Sequence, residues 1–197
     1  MKNPILKFYK KMLKIKVFIY KNCLSSLKPE GKYILQQPCI FKGEGKVIFG
    51  ENAQIGYGDG PFLYSGYSQI TSSQSDSVIK IDNSTVINNN AIIYAETTIE
   101  IGKNCMFGIN FTCIDTDSHS IDPNKRCDYD AVQRAPIKIG DNVFIGNNVT
   151  ILKGVTLGNN CTIGANSLVT KSFPDNSIIA GNPAKLIKVL EYNNGGI

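Results

Sequence analysis

The sequence predicts an all-β solenoid of the hexapeptide β-helix kind, on three features of residues 139–173. Every sixth residue is aliphatic: Ile139, Ile145, Ile151, Leu157, Ile163 and Val169. Glycine follows four of these, at Gly140, Gly146, Gly158 and Gly164. Four residues after each aliphatic comes a second, mostly small position, held by Val143, Val149, Val155, Cys161 and Ser167, with Phe173 the exception. A period of six is neither the 3.6 of a helix nor the 2 of a plain strand. It belongs to short strands wound around a solid apolar core, three hexads making a triangular turn of about 18 residues.

Taken in order, residues 4–27 read as a helix. Ile5, Phe8, Met12, Ile15 and Ile19 recur at three- and four-residue steps with lysines between them, and Pro29 and Gly31 stop it. A basic amphipathic extension is therefore expected over 1–30. Two uses are open to it: packing against the solenoid or across a subunit boundary, and lying on an anionic membrane surface. The β-helix domain is expected over 31–190, with a flexible tail at 191–197. Its repeat starts imperfectly near Val47. The Gly-, Ser- and Tyr-rich stretch 57–77 breaks it, as a loop or as irregular coils. The register resumes at Ile81, Ile87, Ile93 and Ile99, then slips by two residues to Ile101, Phe107 and Cys113, as a corner insertion would make it do. Residues 115–136 carry no hexad pattern and are expected to form one long polar loop, which inside a compact repeat is usually functional. The pairs Asp141-Asn142, Asn147-Asn148 and Asn159-Asn160 suit the corners, because Asn tolerates the left-handed backbone conformation.

Charge and composition narrow the function. Residues 1–28 hold eight lysines and no acid, while the whole chain carries +5, so the remainder carries −3. The basic character belongs to the N-terminus and not to the domain, and no nucleic-acid partner is expected. The six cysteines include no CxxC, and Cys105, Cys113 and Cys161 fall on inward positions of the hexad. They read as buried thiols in a reducing compartment, not as disulfides or metal ligands. With no evident signal peptide and no long apolar run, the expected location is cytoplasmic, or peripheral at the inner face of the membrane.

Residues 137–190 resemble the C-terminal half of the hexapeptide-repeat acetyltransferases. The likeness is strongest to the galactoside, maltose and xenobiotic group and to polysaccharide O-acetyltransferases. Two motifs that a solenoid does not need carry it: Ser167-x-Val169-Thr170-Lys171 and Ala180-Gly181-Asn182-Pro183-Ala184-Lys185. The resemblance extends more loosely back to about residue 78. It implies a left-handed parallel β-helix, although parallel crossovers are ordinarily right-handed. It also implies a homotrimer with acetyl-CoA bound between subunits, and no metal. The same resemblance carries the cofactor contacts onto Asn147, Ala165, Thr170, Lys171, Lys185 and Lys188. Backbone around Gly146 and Ala165 would line the pantetheine slot and the lysines would meet the phosphates. Phe144 stands where many relatives have tryptophan.

The same likeness makes His119, the one histidine of the chain, the general base. The chemistry calls for such a group, since a sugar hydroxyl holds its proton too tightly to attack a thioester unaided at neutral pH. Asp117, Asp115 or a backbone carbonyl would orient the ring. Asn88 is expected to contact the acceptor or to serve as an ordinary corner residue. The reading is an acetyl-CoA-dependent O-acetyltransferase acting on a sugar hydroxyl of a surface polysaccharide or its precursor. The alternatives are N-acetylation of a nucleotide-linked amino sugar and a non-catalytic β-helix scaffold. A γ-class carbonic anhydrase shares the repeat but needs three histidines around zinc, and this chain has one.

Overall fold

The computed structural model describes residues 4–58 and 60–191. A single α-helix, α1 (Pro4–Asn22), leads into a chain of short strands: β1 (Glu30–Leu35), β2 (Cys39–Gly43), β3 (Lys46–Ile55) and β4 (Ser68–Ser72). Next come β5 (Val78–Ile81), β6 (Val86–Ile87), β7 (Ile92–Ala95), β8 (Thr98–Ile101), β9 (Met106–Phe107) and β10 (Thr112–Ile114). After the long loop follow β11 (Ile137–Ile139), β12 (Phe144–Ile145), β13 (Thr150–Leu152), β14 (Thr156–Leu157), β15 (Thr162–Ile163) and β16 (Leu168–Val169). The hairpin of β17 (Ser177–Ala180) and β18 (Lys185–Val189) ends the described chain. Nearly all of the tail expected at 191–197 lies outside the described residues.

The strands sort into three parallel stacks. The first is β5-β8-β11-β14, the second β6-β9-β12-β15-β17, and the third β2-β4-β7-β10-β13-β16. The ten-residue β3 bends across a corner, pairing with β5 through Lys46–Phe49 and with β6 through Gln54 and Ile55, so that the first two stacks form one curled sheet. The chain thus returns to the same stack once per coil. Hexad spacing is what allows it: Ile139 sits against Leu157, Ile145 against Ile163 and Ile151 against Val169, each eighteen residues on. All six aliphatics of the run are at most 1% exposed, and the second positions from Val143 to Ser167 are buried with them. Phe173 is buried as well but bridges in parallel to Leu157, sixteen residues back, so the coil that carries it is two residues short.

The corners explain the asparagines. Asn142, Asn148 and Asn160 have φ of 55°, 58° and 57°, a region that costs most side chains roughly 1–2 kcal/mol. Their amides also stack into ladders. Asn142 Nδ2 donates to Asn160 Oδ1 at 2.9 Å, and Asn160 passes the bond on to Asn176. At the next corner the ladder runs Asn90, Asn110, Asn148, Asn166.

Two parts of the N-terminal half differ from the sequence reading, and a third decides between its alternatives. The helix stops at Asn22 instead of 27, because the Ser25 hydroxyl accepts from Phe41 N and the Phe41 carbonyl accepts from Ser26 and Leu27 N, drawing 23–27 onto β2. The coils begin with β1 and β2, ahead of Val47, where Cys39 and Phe41 are fully buried without a six-residue beat to announce them. Residues 57–77 combine both expected forms: 57–58, 60–67 and the turn 73–77 lie outside the stacks, and an irregular strand lies between them. Ser68–Ser72 forms β4, pairing with β2 and β7 and burying Ile70.

Two outcomes follow. Asn148→Ala should destabilise the protein by about 1–2 kcal/mol, losing both the ladder and the tolerance of positive φ, whereas Asn148→Gly should cost less because it restores the backbone freedom. Chemical denaturation at fixed protein concentration measures both. Burial pushes the thiols of Cys39, Cys105, Cys113 and Cys161 up, and only Cys23 and Cys127 are exposed. An aromatic disulfide reagent should therefore titrate two thiols fast in the native protein and the other four only after unfolding.

Candidate active site

The loop at 115–136 leaves the solenoid at the corner between the third and first stacks, and a buried carboxylate ties it there. Asp115 is fully buried, and its oxygens accept from Glu96 N at 2.7 Å, Thr97 N at 2.8 Å and Thr97 Oγ1 at 2.7 Å. Glu96 and Thr97 belong to the coil below and are the two extra residues behind the register slip: Ile81 pairs with Ile101, twenty residues on instead of eighteen. The returning arm is tied by a second buried acid. Glu96 takes the Arg134 guanidinium together with the Tyr94 and Tyr129 hydroxyls. Arg134 stacks 4.0 Å over the Tyr129 ring and donates to the Val132 and Tyr129 carbonyls. Its hydrogen bond to Glu96 raises the guanidinium above its ordinary value.

His119 stands on this loop, exposed, next to Ser118 at φ 60°. Its Nδ1 lies 3.2 Å from the carbonyl of Arg126. A carbonyl can only accept, so this contact puts the proton on Nδ1 and leaves the Nε2 lone pair free in the neutral ring. The two aspartates proposed as its orienting partners are otherwise engaged: Asp115 in the tie just described, and Asp117 in a 2.6 Å ion pair with Lys153 from the coil above. Of the three candidates, the one in contact with the ring is the backbone carbonyl.

A second feature lies at the other edge of the third stack, along the second. The outward row of the second stack runs Val86, Met106, Phe144, Thr162, Ile178, Lys188, each paired with the next. Beside it is a groove of about 660 Å³ whose corner edge is Asn88, Gly108, Gly146, Asn147, Gly164 and Ala165. Its floor is close-packed backbone: a Cβ on Gly146 would fall 2.6 Å from Ala165 N. Corner N–H groups here are normally capped from the next coil, as when Asn147 Oδ1 accepts from Ile109 N at 3.0 Å. The position above Asn147 is Ala165, which has no acceptor to offer, so the capping ladder ends at the groove. Phe144 and Met106 are exposed on its wall. Asn88 Oδ1 accepts from Asn89 N, and the Asn88 side chain lines the groove mouth.

The proposed site residues thus form two groups. Asn88, Asn147 and Ala165 share the groove, and the hairpin carries its rows onward, with Lys185 against Ala180 and Lys188 against Ile178. His119, Asp115 and Asp117 share the loop corner, where Thr170 and Lys171 also lie, exposed, past β16. One chain does not bring the groups together. Sequence reasoning missed Glu96, Arg134 and Lys153, which hold the histidine loop. The signal for Glu96 was the two-residue slip itself, which falls at that corner.

Known proteins share this arrangement of parallel coils. The family model of the bacterial transferase hexapeptide (six repeats) matches residues 136–171. WbbJ of Escherichia coli (strain K12), named for O-acetyl transfer in lipopolysaccharide biosynthesis, is 29% identical over 182 residues, 89% of this chain and 82% of its own length. Among solved structures, a maltose O-acetyltransferase from Clostridium difficile 630 is 25% identical with a TM-score of 0.54, over 96% of this chain and 90% of that one. A galactoside acetyltransferase solved with coenzyme A shares the fold at 23% identity and TM-score 0.53, over 96% and 84%. Residues 136–171 thus match the transferase hexapeptide repeat, the chain is similar over most of its length to acetyltransferases, and it is an acyltransferase.

The tie makes its own prediction. Asp115→Ala leaves the buried Glu96 N–H and the part-buried Thr97 N–H and hydroxyl without this acceptor and should cost about 1–3 kcal/mol. Limited proteolysis should then cut within 115–136 faster than in the wild type, while the coils stay protected.

Proposed function

We propose that this acetyltransferase moves an acetyl group from acetyl-CoA to a hydroxyl of a surface polysaccharide or its precursor, with His119 as general base. The observation that carries the reading is the lone histidine, its Nδ1 proton given to the Arg126 carbonyl and its Nε2 left free on a loop anchored by Asp115 and Glu96. The name of the Escherichia coli relative favours oxygen as the acceptor atom and a glycan as its carrier. The galactoside acetyltransferase, solved with coenzyme A, favours the same acyl carrier here.

In this reading Nε2 takes the proton of the sugar hydroxyl as that oxygen attacks the thioester carbonyl. The tetrahedral adduct collapses with loss of the CoA thiolate, which recovers the proton from the imidazolium. No acyl-enzyme forms, and the four buried thiols are too sheltered to offer one. The pantetheine arm would lie along the groove. There Gly146 and Ala165 permit close approach, Asn147 N–H meets an amide carbonyl, and Phe144 and Met106 cover the apolar parts. Lys185 and Lys188 on one side and Lys171 on the other supply positive charge for phosphates. Asn88, at the groove mouth, would contact the acceptor.

Because the histidine corner and the groove occupy different edges of one chain, we take the working unit to be a trimer. The loop of one subunit then faces the groove of the next, on solenoids wound in the left-handed sense the resemblance implies. We place the reaction in the cytoplasm, where acetyl-CoA is made.

His119→Ala should lower acetyl transfer by about 10²–10⁴ while CoA binding, followed by calorimetry, stays unchanged. Near-wild-type transfer by that variant would remove the proposed base. Ala165→Phe, which puts a ring on the groove floor, should abolish CoA binding without unfolding the protein. Preferred turnover of a nucleotide-linked amino sugar over every hydroxyl acceptor would move the acceptor atom to nitrogen.

A further inference from the structure

The N-terminal helix has two apolar faces, and only one of them meets the solenoid. Leu13, Val17 and Tyr20 are half-buried along one side. This side is held by ring contacts of Tyr9 with Tyr64 at 5.9 Å and of Tyr20 with Tyr67 at 5.4 Å, and by Lys16 Nζ donating to the Tyr64 carbonyl at 3.2 Å. At 3.6 residues per turn, Phe8, Met12, Ile15, Phe18 and Ile19 fall on a different arc. They are exposed, from 39% for Met12 to 63% for Phe18. The three- and four-residue stripe visible in the sequence is therefore mostly the face that the chain's own core does not use.

The charge around that face has one sign. Lys7, Lys11 and Lys14 run along its edge beside Phe18 and Ile15, and the helix contains no aspartate or glutamate. A like helix from a second copy would set lysines against lysines. A bilayer with anionic headgroups accepts both halves of the pattern, taking the apolar arc into the interfacial region and pairing lysines with phosphates. The lysines also prevent spanning: no described helix is long and apolar enough to cross a membrane. The charge asymmetry of the chain, eight lysines in the first 28 residues against −3 in the rest, would turn this end towards a negative surface.

We infer that α1 is a lipid-surface anchor, lying in the plane of an anionic membrane with Phe8, Met12, Ile15, Phe18 and Ile19 inward and Lys7, Lys11 and Lys14 at the headgroups. This surface is separate from the acyl-transfer site and does not depend on that reading.

The test uses the full chain and vesicles of phosphatidylcholine with or without phosphatidylglycerol. The wild type should sediment with the phosphatidylglycerol vesicles, lose that binding as salt rises, and ignore pure phosphatidylcholine. The triple variant Lys7→Glu, Lys11→Glu, Lys14→Glu should bind about a hundredfold more weakly. Since the chain has no tryptophan, Phe18→Trp adds a single emission reporter. Its emission should shift to the blue only when phosphatidylglycerol vesicles are added. Equal binding to neutral vesicles, or no binding to either, would overturn the inference. So would a Phe18→Trp emission already blue without lipid and unmoved by it, which would show a second copy of the chain covering this face.

Discussion

Parallel pairing between successive coils requires each coil to return at the same register as the one below. Inward side chains then stack directly, Ile145 on Ile163 and Ile151 on Val169, shielded from solvent. A residue inserted within a strand would turn every following inward side chain outward, because strand side chains alternate with a period of two. Extra chain can therefore enter only where the backbone has already left the strand. This single requirement accounts for the strict hexads, the glycines and positive-φ asparagines at the bends, and the placement of every irregular segment at a corner.

The corner between the third and first stacks shows how such extra chain is used. Two added residues in one coil, Glu96 and Thr97, and a long excursion in the next, 115–136, leave at the same place and are fastened to each other. Polar groups buried this deeply are stable only when fully satisfied. Asp115 meets three donors, and Glu96 meets a guanidinium and two hydroxyls. The exposed His119 is thus carried by a loop whose two arms are held at its base, so the coil core gives a rigid footing to a residue that it does not itself contact.

The small-residue groove arises from the same geometry in the opposite way. Where most corners present an asparagine or aspartate to cap the coil below, Ala165 presents none, and the departure leaves accessible backbone beside Gly146. The irregular places on this solenoid are those where its capping and its length rules lapse, and the regular coils between hold those places apart. The helix at the N-terminal end adds a third specialised surface, amphipathic on two sides and of one charge, attached to coils whose own charge is opposite in sign.

Residues 139–173 were legible without coordinates because in a parallel solenoid the contact partner of each core residue lies one coil away in sequence, so that packing is written as local periodicity. The buried thiols at 105, 113 and 161, the corner asparagines and the polar loop were readable for the same reason. Coils built on β2 and β4 were not, because their spacing to the next coil differs from eighteen: Ile40 pairs with Gln69, and Gln69 with Ile92. Partners of the histidine loop were equally hidden. Asp115 and Asp117, just before His119, point into the coil corner and to Lys153, and the ring meets the carbonyl of Arg126, seven residues along. Which face of α1 the solenoid covers was also a tertiary matter, since periodicity marks an apolar stripe but not the surface that meets it. Repetition records contacts between equivalent positions. Contacts between a loop, a corner and a helix have no such record and exist only once the chain has folded.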